Sequence, residues 1–289
     1  MGLATSKAVG RDHYVVLADV SQARLDQAVQ ELDDLGIESE SVMCDVTDRR
    51  SVEQLAARAT SAGTVMSVVH AAGLSPQMGE ADLIVRVNAL GTVHITEAFL
   101  RSAGAGFSLV NVASAAGHLP TAFPIPRRTY QLALTDPDRF ASRLARRCHL
   151  VPRKLRPGIA YSISKNFVIW YSQRQAAAFG LRGARVVSVS PGSFDTKMGR
   201  LEEVNGAGAL AEHAALRRFG RVEEIAEVLA FCASAKPGYL TGTDVLVDGG
   251  AGATMTTKDL LAIARNPSNG HPGIRVGLRP RGAVRREGG

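Results

Sequence analysis

Three cysteines in 289 residues, Cys44, Cys148 and Cys232, are too few and too scattered for a disulfide framework or a zinc site. A reducing, cytoplasmic setting is therefore expected. No apolar run approaches the length needed to cross a bilayer, and the first residues lack the basic-then-apolar pattern of a secretory leader. No internal repeat is present. A further absence is local. The chain opens MGLATSKAVGRDHYVVLADV, where an apolar strand ends on Asp19 and one glycine, Gly2, fronts a stretch with helical composition. A strand closing on an acid about 20 residues after a glycine-rich turn is the second half of a dinucleotide-binding unit. The first half, a strand and the earlier glycines, does not precede Gly2.

What is there suits one large α/β domain, since 289 residues at 45% hydrophobic can bury a full core. The net charge of +7 says little about that domain. From Thr256 on, seven basic residues face two acidic ones, which leaves only +2 for everything before. After Asp19, Ser21 is placed as a helix N-cap, Leu25, Val29 and Leu32 share a face, and Gly36 is a stop. SVMCDV reads as a strand ending at Asp45, and Val52, Leu55 and Ala59 mark a second helix. VMSVVHAAG, FSLVNVAS, ARVVSVSPG and TDVLVDGG read as buried strands. Between them lie a long helix from Ala81, a helix from Tyr161 to Phe179, and a helix in VEEIAEVLAFCAS. Helices alternating with continuous apolar strands predict a parallel sheet covered on both faces. Residues 118–158 break the rhythm, and only PDRFASRLARRC there has a helical pattern. The domain is set at residues 1–255. Beyond it a Gly-, Pro- and Arg-rich tail, 256–289, has almost nothing to bury past a short helical TTKDLLAIAR, and disorder is expected there.

Several local features fall in a fixed order: Asp19, HAAG at His70 to Gly73, Asn88, Ser114, Tyr161 with Lys165, SPGSFDTKM, and VDGG. Together, over about residues 2–250, they resemble the short-chain dehydrogenase/reductase family. The resemblance implies an α/β, Rossmann-type doubly wound parallel sheet in strand order 3-2-1-4-5-6-7, with the first strand missing from this chain. It also implies a nicotinamide-dependent oxidoreductase that interconverts a secondary alcohol and a ketone.

Tyr161 and Lys165, four residues apart, share a helix face. A free phenol titrates near 10, and a neighbouring ammonium favours its ionised form. On the resemblance Tyr161 is the acid/base, and Lys165 assists it while binding the nicotinamide ribose. Ser114 orients the substrate oxygen, and Asn88 distorts its helix to hold a relay water. For the cofactor, Gly2 matches the last glycine of the family's turn. Asp45 and Val46 lie near the adenine, Ala72 and Gly73 allow close backbone approach, Pro191 and Gly192 turn the chain, and Thr196 contacts the carboxamide and phosphate side. A carboxylate at Asp19 accepts the adenosine ribose hydroxyls and repels a 2′-phosphate. NAD is thus expected, with NADP as the alternative. No metal site is expected.

Two departures stand out. HAAG replaces the family's usual NNAG, so two bracing amides are lost, and His70 reads as a buried, hydrogen-bonded structural residue. Tyr161 follows Ser114 by 47 positions, several times the usual interval. Some bacterial 3α-hydroxysteroid dehydrogenase/carbonyl reductases carry an insert at this place. A substrate lid and a dimer-contact element are both open readings. Its Arg127, Arg128, Arg143, Arg146 and Arg147 read as a solvated basic face ahead of an acidic-substrate site. The expected partners are a small alcohol or ketone and a second copy of the chain, as homodimer or homotetramer, on the helices bearing Asn88 and Tyr161. Phe167 and Trp170 serve either that contact or the core. No nucleic-acid or membrane partner is expected. Absence of the first strand predicts a row of unpaired backbone groups in mid-sheet, and an upstream start is the expectation that follows. The alternative reading is a non-catalytic dinucleotide sensor or scaffold, or an inactive truncated relative.

Overall fold

The computed structural model of the protein describes residues 1–119, 124–202 and 208–256; the expected short helix in TTKDLLAIAR and nearly all of the tail lie outside the described residues. In chain order the elements are α1 (Gly2–Val9), β1 (Val15–Asp19), α2 (Gln22–Asp33), β2 (Ser39–Met43), α3 (Arg49–Ala62) and β3 (Ser67–His70). Then come α4 (Ala81–Val85), a π-turn (Arg86–Leu90), α5 (Gly91–Ser102), β4 (Ser108–Val112) and a 3₁₀ turn (Ala115–His118). The rest are α6 (Arg127–Tyr130), a 3₁₀ turn (Gln131–Leu134), α7 (Pro137–Cys148), a 3₁₀ turn (Arg153–Leu155), α8 (Arg156–Gly180), β5 (Arg185–Pro191), α9 (Lys197–Glu202), α10 (Gly208–His213), α11 (Val222–Ala233), β6 (Asp244–Val247) and α12 (Ala251–Thr254).

Every strand pair is parallel, as the alternation of helices and apolar strands predicts. The sheet, however, is in two pieces: β1 pairs with β2, and β3-β4-β5-β6 form a separate four-stranded sheet. The division between β1 and β3 falls where the expected first strand would lie. Local signals behave as read from the sequence at α2, where Ser21 Oγ accepts from Arg24 N, and at Gly36, whose φ of +69° closes the turn after the helix. Two boundaries differ. β2 stops at Met43, two residues before Asp45, because Asp45 is drawn into a turn in which its Oδ1 accepts from Thr47 N at 2.8 Å. Helix α8 begins at Arg156, five residues before Tyr161, with a proline in its first turn where no N–H is needed.

The expectation that no segment is apolar enough to span a bilayer needs correcting. The continuous helical stretch Ala81–Ser102 is long and apolar enough by length and composition, and 72% of its most apolar window is buried in this fold. It is a core helix, made apolar on most sides by α3, α8 and the sheet packed around it.

The insert is mostly helical where it is described. Helix α7 starts on the N-cap Asp136 and lays Phe140, Ala141, Leu144, Ala145 and Cys148 against α4 and α8. Tyr130 is fully buried, and its hydroxyl donates to Ile163 O at 2.9 Å, fastening the insert to α8 two residues before Lys165. Rings of Phe140 and Phe167 meet at 4.3 Å between centroids, and Trp170 lies beside them. Phe167 is therefore core, buried by the chain's own insert. Arg127, Arg128, Arg143, Arg146 and Arg147 of the insert are exposed.

Candidate active site

The C-terminal ends of β3, β4 and β5 carry the candidate residues, as the ends of parallel strands do in open α/β sheets. Lys165 projects from α8 and donates from Nζ to Val112 O at 2.8 Å, at the last residue of β4. Its Nζ lies 5.9 Å from the centroid of the Tyr161 ring, so the two side chains predicted to meet on one helix face do meet. Burial holds the Lys165 ammonium down at about 8, against an ordinary value of 10.5.

Asn88 sits in the π-turn, and the helix distortion expected at that residue is present. Its Oδ1 accepts from Leu74 N at 2.8 Å, and its Nδ2 donates to Leu74 O at 2.9 Å and to Ser164 Oγ at 3.2 Å. Ser164 in turn donates to Tyr161 O at 2.8 Å, a link between Asn88 and the tyrosine's turn that the sequence did not reveal. Gly73 lies where these groups converge: a Cβ there would stand 3.2 Å from Asn88 Oδ1 and 3.3 Å from Lys165 Nζ. Ala72, beside it, is exposed.

Ser114 follows β4 by two residues and is the N-cap of the 3₁₀ turn, its Oγ accepting from Ala116 N at 3.2 Å. The cap fixes the oxygen through a lone pair and leaves the O–H free to donate. The turn lies directly on α8, since a Cβ on Gly117 would come within 2.8 Å of Lys165 C. Ser114 and the Tyr161–Lys165 pair are thereby tied to one rigid seam.

The remaining residues divide. Gly192 follows Pro191, the last residue of β5, and has no room for a side chain, because a Cβ would meet Asp248 Cα at 2.7 Å. Thr196 Oγ1 accepts from Gly199 N at 2.8 Å, so it caps α9. Val46 is buried against Gly91, where a Cβ would meet its Cγ2 at 2.7 Å, and its carbonyl accepts from His94 Nδ1. It packs the joint between β2 and α5. His70 is buried as expected, but its Nε2 has no hydrogen-bond partner among the described residues. It ends β3, whose second edge is unpaired, and burial with the nearby Lys165 charge pushes its imidazole down to about 3.

A cavity of about 570 Å³ adjoins the cluster through Ala115 and Ala116, the two residues after Ser114. Its walls are mainly apolar, with Phe194, Leu210, Leu216 and Leu246, and neither Tyr161 nor any insert arginine lines it. His118, Ser193, Arg218, Glu224 and Asp248 are its polar lining residues. His118 Nε2 is 2.8 Å from Asp244 Oδ2, and Asp244 Oδ1 accepts from Ser188 and Ser190. No spacing in the sequence signals this cluster, because its members come from a turn and two strands.

The residues present fit a nicotinamide dinucleotide at its two riboses. An ammonium has three donors, and among the described residues Lys165 Nζ meets one acceptor, Val112 O. Asp19 Oδ1 accepts from Ser21 N at 2.9 Å and from Arg24 Nε and Nη2 at 3.1 and 2.6 Å, while Oδ2 is left open among the described residues. Arg24 had no assigned role in the sequence. Gly2, expected at the diphosphate turn, is the first residue of α1.

A parallel α/β sheet with a helix-borne tyrosine–lysine pair packed at the end of β4 defines a Rossmann-type oxidoreductase. Family models agree: residues 1–125 match "short chain dehydrogenase" and residues 153–252 match "Enoyl-(Acyl carrier protein) reductase". A short-chain dehydrogenase/reductase of Alternaria brassicicola is 34% identical over 262 residues, covering 89% of this chain and 93% of that protein. A 3-alpha-hydroxysteroid dehydrogenase/carbonyl reductase of Comamonas testosteroni is 28% identical, over 65% of this chain and 73% of its own. The crystal structure of a Burkholderia cenocepacia short-chain dehydrogenase in complex with NADP superposes with a TM-score of 0.68 at 23% identity, covering 87% of this chain and 93% of that one. This chain belongs to the short-chain dehydrogenase/reductase family.

Proposed function

We propose that the protein interconverts a secondary alcohol and a ketone with NAD(H). The observation that carries this reading is the Lys165 ammonium, anchored on Val112 O and 5.9 Å from the Tyr161 ring centroid. A nicotinamide, when bound, supplies the acceptor or donor of hydride. In oxidation the carbinol carbon gives up its hydrogen with the bonding electron pair, and the hydroxyl proton passes to ionised Tyr161. The Lys165 charge favours that ionised form. Ser114 donates to the substrate oxygen and holds it beside Tyr161. Lys165 and Asn88 line the route by which the proton leaves. Gly2, Asp45, Thr196 and the Pro191–Gly192 turn are assigned to cofactor binding on the resemblance.

Asp19 favours NAD, because a carboxylate at the strand end accepts ribose hydroxyls and repels a 2′-phosphate. The mainly apolar cavity favours a neutral, hydrophobic alcohol or ketone of steroid or terpenoid type. Three free, buried cysteines accord with a reducing, cytoplasmic location. A homo-oligomer is retained, with its contact outside the face that α7 covers. The test is a panel of secondary alcohols with NAD, followed by NADH fluorescence. Turnover is expected for hydrophobic members, with a loss of about 10²–10⁴-fold in Tyr161→Phe. Turnover that persists in Tyr161→Phe overturns the assignment.

A further inference from the structure

We infer that His118 determines substrate specificity by accepting a hydrogen bond from a second hydroxyl on the substrate, which makes that substrate a hydrophobic hydroxy-ketone or diol. The inference rests on the alcohol–ketone reading above and concerns the far end of the substrate. Among the polar residues that line the cavity beside Ser114, Arg218 and Glu224 hold each other through two contacts of 2.8 Å. Asp248 accepts from the backbone amides of Gly250 and Gly252, and Ser193 is partnered too. His118 differs. Both of its contacts fall on one ring nitrogen, Nε2, and Nδ1 has no partner among the described residues.

Asp244 dictates what that nitrogen can do. Its side chain is 6% exposed on β6; Oδ1 accepts from Ser188 and Ser190, and Oδ2 lies 2.8 Å from His118 Nε2. A carboxylate has no proton to give, so Nε2 carries the proton and donates. In the neutral ring Nδ1 is then a bare acceptor, because the hydrogen bond of one ring nitrogen sets the state of the other. A carboxylate is costly to bury, and what it adds here over a neutral partner is a fixed tautomer. The 3₁₀ turn carries His118 four residues past Ser114, about 8 Å along the turn at roughly 2 Å per residue. A rigid substrate whose oxygen rests on Ser114 meets His118 with its far end, the span of two fused six-membered rings, while Phe194, Leu216 and Leu246 wall its carbon frame. An acceptor at that place takes a hydroxyl, faces a second ketone lone pair to lone pair, and is left unpaired by a hydrocarbon.

NADH-dependent reduction by the full chain of a trans-fused decalone, and of its derivatives with a hydroxyl or an oxo group on the far ring, tests this. The wild type is expected to favour the hydroxy compound by about tenfold in kcat/KM, through KM. His118→Phe should lose that preference and leave the plain decalone within about twofold. Asp244→Asn is the sharper variant. Its amide keeps an oxygen for Ser188 and Ser190 and turns N–H toward Nε2, so the ring proton moves to Nδ1. The oxo compound should then gain at least about fivefold on the hydroxy compound. Nitrogen NMR of the imidazole, which needs no turnover, should show His118 protonated at Nε2 and bare at Nδ1 in the wild type, and the reverse in Asp244→Asn. A wild type that treats the three ketones alike overturns the inference, as does a protonated Nδ1. Equal loss for all three in a His118→Phe variant that melts normally would make His118 a tether of the turn and overturn it too. If none is reduced while the alcohol panel turns over, this inference fails alone; if the panel is silent as well, the alcohol–ketone reading fails with it.

Discussion

The two pieces of the sheet were made from the same kind of sequence and ended in different states. In the four-stranded piece, every residue of β4 and β5 is buried. In the two-stranded piece, β2 has no buried position, and β1 buries only Val15 and Leu17. A parallel strand becomes fully buried when it has a neighbour on each edge and a layer on each face. Strands β4 and β5 have both, while β1 and β3 each lack one neighbour. Function divides along the same line. Lys165, Ser114 and the Gly192 turn attach to β4 and β5, whereas Asp19 and Arg24 hang on β1 and α2. On the proposed function, the chemistry rests on the continuous half and the adenosine end on the isolated one.

The largest effect that separates the halves should come from Lys165. Replacing it with Met removes the cation beside Tyr161, and a loss of about 10²–10⁴-fold in turnover is expected. Stability should move the other way. In the folded state the ammonium titrates near 8 and in the unfolded chain near 10.5, so between these values the unfolded state binds more protons. Wild-type stability therefore climbs by roughly 3 kcal/mol as pH rises from 8 to 10.5. Lys165→Met should abolish that climb and be at least as stable as wild type at pH 7. Urea unfolding at pH 7 and pH 10 checks both statements, and a destabilised Met variant would mean that the ammonium's hydrogen bond outweighs its desolvation.

His70 probes the broken edge itself. The folded state keeps its imidazole neutral down to about 3, whereas an unfolded histidine takes up a proton near 6.5. As pH falls through that window the unfolded chain gains the proton first, and about 4–5 kcal/mol of stability is lost by pH 3. His70→Asn, which does not titrate, should flatten the acid limb. An unaltered limb would show that His70 reaches solvent or a partner across the gap between β1 and β3.

How much of this was legible in the residues depends on how local the signal was. The Ser21 cap and the pairing of Tyr161 with Lys165 follow from spacing along one element, and the structure bears them out. The order of acid, glycine, asparagine, serine and tyrosine identified the family because each sits at a fixed place in the βα rhythm. What the sequence could not show depended on chain segments meeting from afar. The cluster of His118 and Asp244 joins residues 126 positions apart, and the orphaned His70 Nε2 depends on what β3 lacks as a neighbour. Arg24 was within reach, since five residues separate it from Asp19 at the start of a helix.

Gly117 tests how tightly the continuous half is built. An alanine Cβ would stand 2.8–3.0 Å from backbone atoms of Lys165 and Asn166, which have little freedom to withdraw. Gly117→Ala should cost about 1–3 kcal/mol and lower turnover by shifting Ser114 away from Tyr161. Thermal unfolding and kcat should fall together. A fall in stability with kcat intact would show that the seam between the turn and α8 does not position Ser114.

The smallest change is the most direct test of the division. Ser21→Ala removes the cap of α2, worth about 1 kcal/mol, and touches only the two-stranded half. If the halves open separately, amide exchange in β1 and β2 should quicken roughly fivefold while β4 and β5 keep their protection. Strands β1 and β2 should also exchange faster than β4 and β5 before any substitution, because their openings expose fewer buried contacts. Equal quickening in all strands would mean that the pieces unfold as one cooperative unit, held together by the layer of helices. In that case α1, which packs against α11 beneath the four-stranded sheet while its Lys7 pairs with Glu31 of α2, is the physical bridge between them.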